Sequence, residues 1–334
     1  MKHMVLHPPA GLDALRLQHC AIPEPGPGQV RVRWHASSLN FHDFCVVTGV
    51  LPVASPRVPL SDGAGVVDAV GPGVDDWKVG DRVLSLFFPK WHEGPPRVSH
   101  VRQMTGDTID GCAAQYSVVD AAALTPMPSG WSFAEAATLP CAALTSWRAL
   151  MSVCRVKPGD RVLVEGTGGM ALAALQIAKM AGAEVYATSS SDVKLERLRA
   201  IGADHVINYR EDPEWGATVA RLSGGGVEHV LDSGGRATLA QSIRAAAVGG
   251  NVVVIGVLGG VDVQLDLLAL IGAQVRLQAI AVGHRREQIE MVRAFERSGV
   301  RPVLDRSFAL EALAHAFRYQ ASGRHVGKII VEIE

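Results

Sequence analysis

The chain has 334 residues, 48% of them hydrophobic and 19% charged, with a formal net charge of −1. That length allows two domains with sizeable cores. The near-neutral balance, with no long basic stripe, excludes nucleic acid and acidic membrane surfaces as main partners.

Five dispersed cysteines (Cys20, Cys45, Cys112, Cys141, Cys154) form no CxxC pair. The N-terminus, MKHMVLHPPA, has no apolar signal core. Both features point to reduced thiols in the cytoplasm. Residues 1–126 read as β-rich. Residues 29–34, QVRVRW, alternate polar and apolar as a half-buried strand does, and 65–71 and 81–86 read as further strands. Pro-Gly pairs at 25–26, 27–28 and 72–73 punctuate them, so a small barrel or sandwich is expected.

The rhythm changes after Pro126. Short apolar strands are expected at 161–165, 184–188, 205–208, 229–232, 251–256 and 274–282. Helical patterns at 171–181, 194–201, 215–223 and 237–247 alternate with them. This is the signature of a doubly wound parallel six-stranded sheet with helices on both faces. The most apolar stretch, 252–282, is broken by Asp262, Asp266, Arg276 and several glycines, which favours strands and turns over a membrane helix. A helical piece at 310–321 and a strand at 328–333 close the chain.

The segment Gly166-Thr167-Gly168-Gly169-Met170-Ala171 fits G-x-G-x-x-[G/A]. It follows an apolar strand and opens a helix. The first glycine permits the tight turn, the second lets the backbone approach a pyrophosphate, and the small third residue lets helix and strand pack closely. Helix N–H groups then favour the anion. An NAD site places a carboxylate about 20 residues on, at the end of the second strand. Here that strand ends Ala187-Thr188-Ser189-Ser190-Ser191, with Lys194 following. Hydroxyls and an ammonium suit a 2′-phosphate, so NADP(H) is expected over NAD(H). Ser191 or Asp192 could equally cap the next helix.

Several stretches together resemble the medium-chain dehydrogenase/reductase superfamily, in its zinc-free quinone oxidoreductase and alcohol dehydrogenase-like branch. They are PGPGQVRVRWHASSLNFHDF, SDGAGVVDAVGPGVDDWKVGDRV, LPCAALTSWRAL, the VLVEGTGGMALAALQIAK turn and the closing HVGKIIVEI. The resemblance covers nearly the whole chain. It implies a GroES-like β-barrel catalytic domain over 1–126, a Rossmann NADP(H)-binding domain over 127–283, and a tail, 284–334, returning to the catalytic domain. It also implies an active site in the cleft between the domains, a small-molecule substrate, and a homo-oligomer, dimer or tetramer.

The resemblance further places Asn40, Ser61-Asp62 and Cys141 where zinc-dependent relatives carry their metal ligands. One thiol with an amide and a hydroxyl is a poor set for Zn²⁺. The region 87–112 offers only Cys112 for a second, structural zinc. No metal is therefore expected, and His92 and His100 lack partner spacing. Cys141 then reads as a small buried filler. Without a Lewis acid, hydrogen-bond donors must steady the charge that hydride transfer creates on a substrate oxygen. Spreading that charge over an enolate is easier than polarising an isolated carbonyl. Reduction of an activated C=C bond or a quinone is the leading expectation. An alcohol dehydrogenase and a low-turnover NADPH-binding protein are the alternatives.

The candidate catalytic residues are Asn40, whose amide could donate where a metal would sit, and His42, a possible proton donor. A histidine bonded to a backbone carbonyl is the competing reading of His42. Asp43 reads as an ion-pair or capping residue. Phe41, Trp91 and Trp147 are either pocket or core. By resemblance, Thr145 and the Gly256 turn belong near the nicotinamide. Ser189, Lys194 and Tyr209 belong around the 2′-phosphate. Lys328, and more weakly Arg285, are further cofactor contacts.

Overall fold

The computed structural model describes residues 1–54 and 56–334. The chain divides into two compact units, residues 1–144 with 283–334, and residues 145–282.

The strands of the first unit up to the division are β1 (Lys2–Leu6), β2 (Leu15–His19), β3 (Gln29–Ser38), β4 (Ala64–Val70), β5 (Arg82–Ser85), β6 (Tyr116–Asp120) and β7 (Leu124–Pro126). The second unit contributes β8 (Arg161–Glu165), β9 (Glu184–Ser189), β10 (His205–Asn208), β11 (Val227–Asp232), β12 (Ala246–Val254) and β13 (Arg276–Ala279). The tail returns β14 (Leu304–Ala309) and β15 (Lys328–Glu332) to the first unit.

In the first unit a seven-stranded sheet runs β14-β15-β3-β4-β5-β7, with β6 paired to β3. This is the GroES-like barrel architecture. The alternation of β3 sends Val30, Val32 and Trp34 into a core with Leu60, Val67, Val83, Phe317 and Val331. Each fully buried large aliphatic there contributes roughly 1.5–3 kcal/mol. The antiparallel pairing of β15 with β3 sets Ile330 opposite Ser38 and Val331 opposite Ser37, and Leu39 N–H bonds to Ile329 O at 3.0 Å. That register carries the first residue of β15, Lys328, to the end of β3.

The second unit holds a six-stranded sheet in the order β10-β9-β8-β11-β12-β13, every pair parallel. This is the Rossmann order, with the direction of winding reversing between β8 and β11. Its core is built from Leu163, Tyr186, Val219, Val230, Ile243 and Val252.

The division falls at 144/145 and 282/283, later than the expected first boundary at 126/127. Residues 127–144 pack with the first unit. Trp131 stands edge-on to Phe295 at 5.7 Å, Arg82 lies over Phe133 at 4.5 Å, and Ala137 O lies 2.9 Å from Ser38 Oγ. The stretch 252–282 is not only strands and turns, because Asp266 caps a helix over Leu267–Ala273. The helix Arg285–Ser298 lies outside the expected helical patterns. It buries Gln288, Met291, Val292 and Phe295 at helical spacing and starts on a His284/Glu287 capping box. Among the described residues no helix is long and apolar enough to cross a membrane.

Candidate active site

In the first unit a buried polar cluster forms where β3, the helix Phe41–Val47 and β15 meet. Asn40 is the N-cap of that helix, and Asp43 sits three residues on as its capping partner. The Asp43 carboxyl accepts from Asn40 N–H and from Ser61 N–H, both at 2.9 Å. Burial, reinforced by the charge of Asp62, pushes Asp43 up to about 6, although His42, the Asn40 N–H and Lys328 pull it back.

Asp62 is fully buried. Its Oδ2 accepts from Ser38 Oγ at 2.6 Å, Asn40 Nδ2 at 2.9 Å and Lys328 Nζ at 3.3 Å. Its Oδ1 is buried without a hydrogen-bond partner. Lys328 Nζ also donates to Leu39 O at 2.8 Å and to Asn40 Oδ1 at 2.6 Å. An ammonium has three N–H bonds, and these three acceptors use them all. Lys328 is thus employed inside the first unit, as the cation of Asp62, rather than left free for the cofactor contact expected of it.

The same network changes the role expected of Asn40. Its Nδ2 donates to Ser61 Oγ at 3.2 Å as well as to Asp62, while its Oδ1 accepts from Lys328. Both amide N–H bonds are taken, so Asn40 organises the cluster and has no donor left for a substrate oxygen. The reason is tertiary: Asp62 and Lys328 arrive from distant parts of the chain.

His42 lies at the edge of this cluster, half-buried, with Nε2 3.0 Å from Asp107 Oδ2, an ion-pair distance without hydrogen-bond geometry. Its ring stands edge-on to Phe87 at 5.0 Å. The competing reading, a bond to a backbone carbonyl, is replaced by a carboxylate partner. Asp107 was invisible in the sequence, since it sits in a loop without any motif. Trp91 is core, buried against Phe88 and His284, and Phe41 is exposed. His92 faces Pro89 O, His100 stacks on Trp91, and Arg285 Nε donates to Leu124 O.

At Asn40, Ser61-Asp62 and Cys141, where the resemblance places zinc ligands, the donors are an amide, a hydroxyl, a carboxylate already paired with Lys328 and one thiol. Burial, then the charge of Asp62, raises the partly exposed Cys141 thiol well above its usual range. Asn40 Oδ1 already faces an ammonium. Among the described residues no group of three or more His, Cys, Asp or Glu side chains could hold a metal.

In the second unit, β8 ends at Glu165, the turn follows, and a helix runs over Gly169–Met180. Gly166 has φ +87°, a conformation closed to ordinary side chains, and its N–H bonds to Thr188 O at 2.8 Å. A Cβ built at Gly166 or Gly168 would meet nothing within 4 Å. Open space therefore lies over the turn at the start of a helix, which fits a pyrophosphate. Thr167 is buried in the turn, and Met170 O accepts from Ser146 Oγ, next to the buried Thr145.

β9 ends in the buried hydroxyls of Thr188 and Ser189, with Ser190 partly exposed. Ser191 occupies the N-cap position of the helix Asp192–Ile201 without a side-chain cap, and Asp192 accepts from Asn208 Nδ2 at 3.1 Å. Half-buried Lys194 stands in the first turn. Tyr209, exposed, bonds through its N–H to Ser189 O at 3.0 Å. Hydroxyls and a cation therefore gather at the strand end, where an NAD site would carry its acid. Gly256 serves packing: a Cβ there would lie 2.6 Å from Ser233 O.

Residues 26–129 match the alcohol dehydrogenase GroES-like domain family, and residues 169–297 match the zinc-binding dehydrogenase family. A zinc-type alcohol dehydrogenase-like protein of Schizosaccharomyces pombe is 38% identical, over 100% of this chain and 99% of that protein. The crystal structure of an NAD-dependent alcohol dehydrogenase is 34% identical with a TM-score of 0.92, and each chain is covered fully. A crotonyl-CoA carboxylase/reductase in complex with NADP is 27% identical with a TM-score of 0.88, over 99% of this chain and 94% of that one.

Proposed function

The chain belongs to the medium-chain dehydrogenase/reductase superfamily and is an oxidoreductase; from that premise we propose that it is a zinc-independent, NADP(H)-dependent reductase of an activated C=C bond or a quinone. The carrying observation is Lys328, whose ammonium already neutralises Asp62 and caps Asn40 Oδ1. A second cation among these groups would meet charge repulsion and weak neutral ligands.

NADPH, when bound, supplies the hydride. The open turn over Gly166 and Gly168 holds its pyrophosphate. Thr188, Ser189, Ser190, Lys194 and Tyr209 receive the 2′-phosphate, and Thr145 lies on the nicotinamide side. His42 is the group we assign to the substrate oxygen. Asp107 faces the same ring, and the imidazole is the group offered as hydrogen-bond and proton donor. That help suffices for an enolate, whose charge is delocalised. The likeness to a reductase solved with NADP supports this choice of cofactor.

The likeness to an NAD-dependent alcohol dehydrogenase favours a second reading, a carbonyl/alcohol pair as substrate. NADPH consumption measured with an enone beside a saturated aldehyde, with and without a chelator, separates the two. Turnover of the enone that survives chelation is expected. Turnover of the aldehyde alone, abolished by chelation and restored by Zn²⁺, would overturn the proposal.

A small-molecule substrate belongs to this reading, and the five free cysteines are compatible with a reducing, cytoplasmic setting. A homo-oligomer is supported by exposed Val257, Leu258, Val261, Leu267, Leu268 and Ile271 in the segment leading to β13, an edge strand.

A further inference from the structure

Two buried carboxyl groups in the second unit have no part in the scheme above. Glu165 is the last residue of β8, and Asp232 is the last residue of β11. These strands are neighbours, and the winding of the sheet reverses between them. Ligands of open α/β sheets bind outside the carboxyl ends of the strands at such a point. Glu165 also immediately precedes the Gly166 turn.

Proton counting separates the two acids. Ser242 Oγ lies 2.6 Å from Glu165 Oε1 and 2.7 Å from Asp232 Oδ2. A hydroxyl carries one proton, so it can donate to only one of them. The other contact is a hydrogen bond only if a carboxyl carries a proton. Asp232 is already supplied with donors, because Oδ1 accepts from Gly235 N–H at 2.9 Å and Oδ2 from Thr238 Oγ1 at 2.8 Å. Glu165 Oε2 accepts from the N–H groups of Ser233 at 3.0 Å and Gly234 at 3.4 Å. That leaves Glu165 Oε1 as the protonated oxygen.

We propose that Glu165 is a positioning residue for dinucleotide binding: a neutral carboxylic acid that donates from Oε1 to Ser242 and holds the 233–235 loop beside the phosphate turn through Oε2. This rests on the cofactor reading of the turn. Burial, then the charge of Asp232, pushes Glu165 up to about 8, which agrees with the proton count. The titratable group facing Glu165 is Asp232 from β11. The helix Leu239–Ala245 and the 233–238 loop face it with the Ser242 and Thr238 hydroxyls and backbone N–H groups, and β9 sets Thr188 opposite it. The 256–260 loop hangs from the same segment, since Gly259 N–H bonds to Gly234 O at 2.8 Å. Ionising Glu165 removes its donor to Ser242 and adds a negative charge one residue from the pyrophosphate turn. Cofactor binding then weakens as pH rises.

The test measures NADPH dissociation constants from pH 6 to 9 for the wild type, Glu165→Gln and Glu165→Ala, with infrared spectra across the same range. Gln places an N–H where Glu165 carries its proton. Wild-type affinity should fall about tenfold between pH 7 and pH 9. Glu165→Gln should bind as the wild type does at pH 7 and stay flat, and Glu165→Ala should be weak throughout. The wild-type spectrum should contain the carbonyl stretch of a protonated carboxylic acid at pH 7, lost at alkaline pH and absent from Glu165→Gln. A Glu165→Gln profile that falls like the wild type's, or a wild-type spectrum without that band, would overturn the proposal. If no variant binds either dinucleotide at any pH, the cofactor reading has failed, and the infrared band still decides the state of Glu165.

Discussion

Replacing Lys328 by Met tests the central feature of the first unit. The ammonium is 5% exposed and its partner Asp62 is 0% exposed. Met keeps most of the volume and removes the charge and three donors. Asp62 would retain the Ser38 hydroxyl and the Asn40 amide but lose its cation. Breaking a buried pair from one side costs about 3–5 kcal/mol, because the remaining charge is left in a poor dielectric. For a unit of this size each kcal/mol lowers Tm by about 2–4 °C, so a drop of roughly 10 °C is expected. Unfolding can be followed by tryptophan fluorescence, since Trp34, Trp77, Trp91 and Trp131 lie in the first unit. Adding Asp62→Asn should recover part of the loss, with a coupling of about 2 kcal/mol between the two sites. A Lys328→Met protein that melts with the wild type, or a double variant no more stable than the single, would refute the assignment.

Ser189→Asp should weaken NADPH binding at least tenfold by opposing the 2′-phosphate, and leave NADH binding unchanged or tighter; equal effects on both in titration calorimetry would remove Ser189 from that site. His42→Asn should lower enone turnover about a hundredfold, as loss of a general acid does, with NADPH affinity intact; unchanged single-turnover rates would clear His42 of a direct role. Stability should also depend on pH through Glu165. Its folded-state value lies above that of the unfolded chain, so its contribution is complete at acid pH and is lost as pH rises toward about 8. Denaturant titrations should show the wild type losing stability over that range and Glu165→Gln losing less; parallel curves would contradict the buried acid.

Much of the second unit was legible because its signals are local. Apolar runs of β-branched residues, the Gly166 turn and the helical periods lie within a few residues of one another, and each is fixed by backbone geometry that neighbours enforce. Strands 161–165 and 205–208 coincide with β8 and β10 for that reason. The start of β12 at Ala246 was hidden, because small residues and glycines (AAVGG) carry no period. The helix Arg285–Ser298 carries its signal locally too, in a His284/Glu287 cap and apolar residues at helical spacing.

Local sequence also determined which residues gather at the end of β3, where Asn40 and Asp43 form one capping box. What those residues do was decided only in three dimensions. Asn40 reads as a free amide until Ser61 and Asp62 accept its two N–H bonds and β15 delivers Lys328 to donate to its Oδ1. His42 gains Asp107 across 65 positions of chain. Glu165, Ser242 and Asp232 likewise look like three unrelated polar residues until the sheet lays β8 beside β11. The sequence determined the backbone frame and the cofactor turn, since torsion preferences and apolar periodicity act over short stretches. Tertiary structure decided protonation and hydrogen-bond allegiance, because these depend on burial and on partners that arrive from far along the chain.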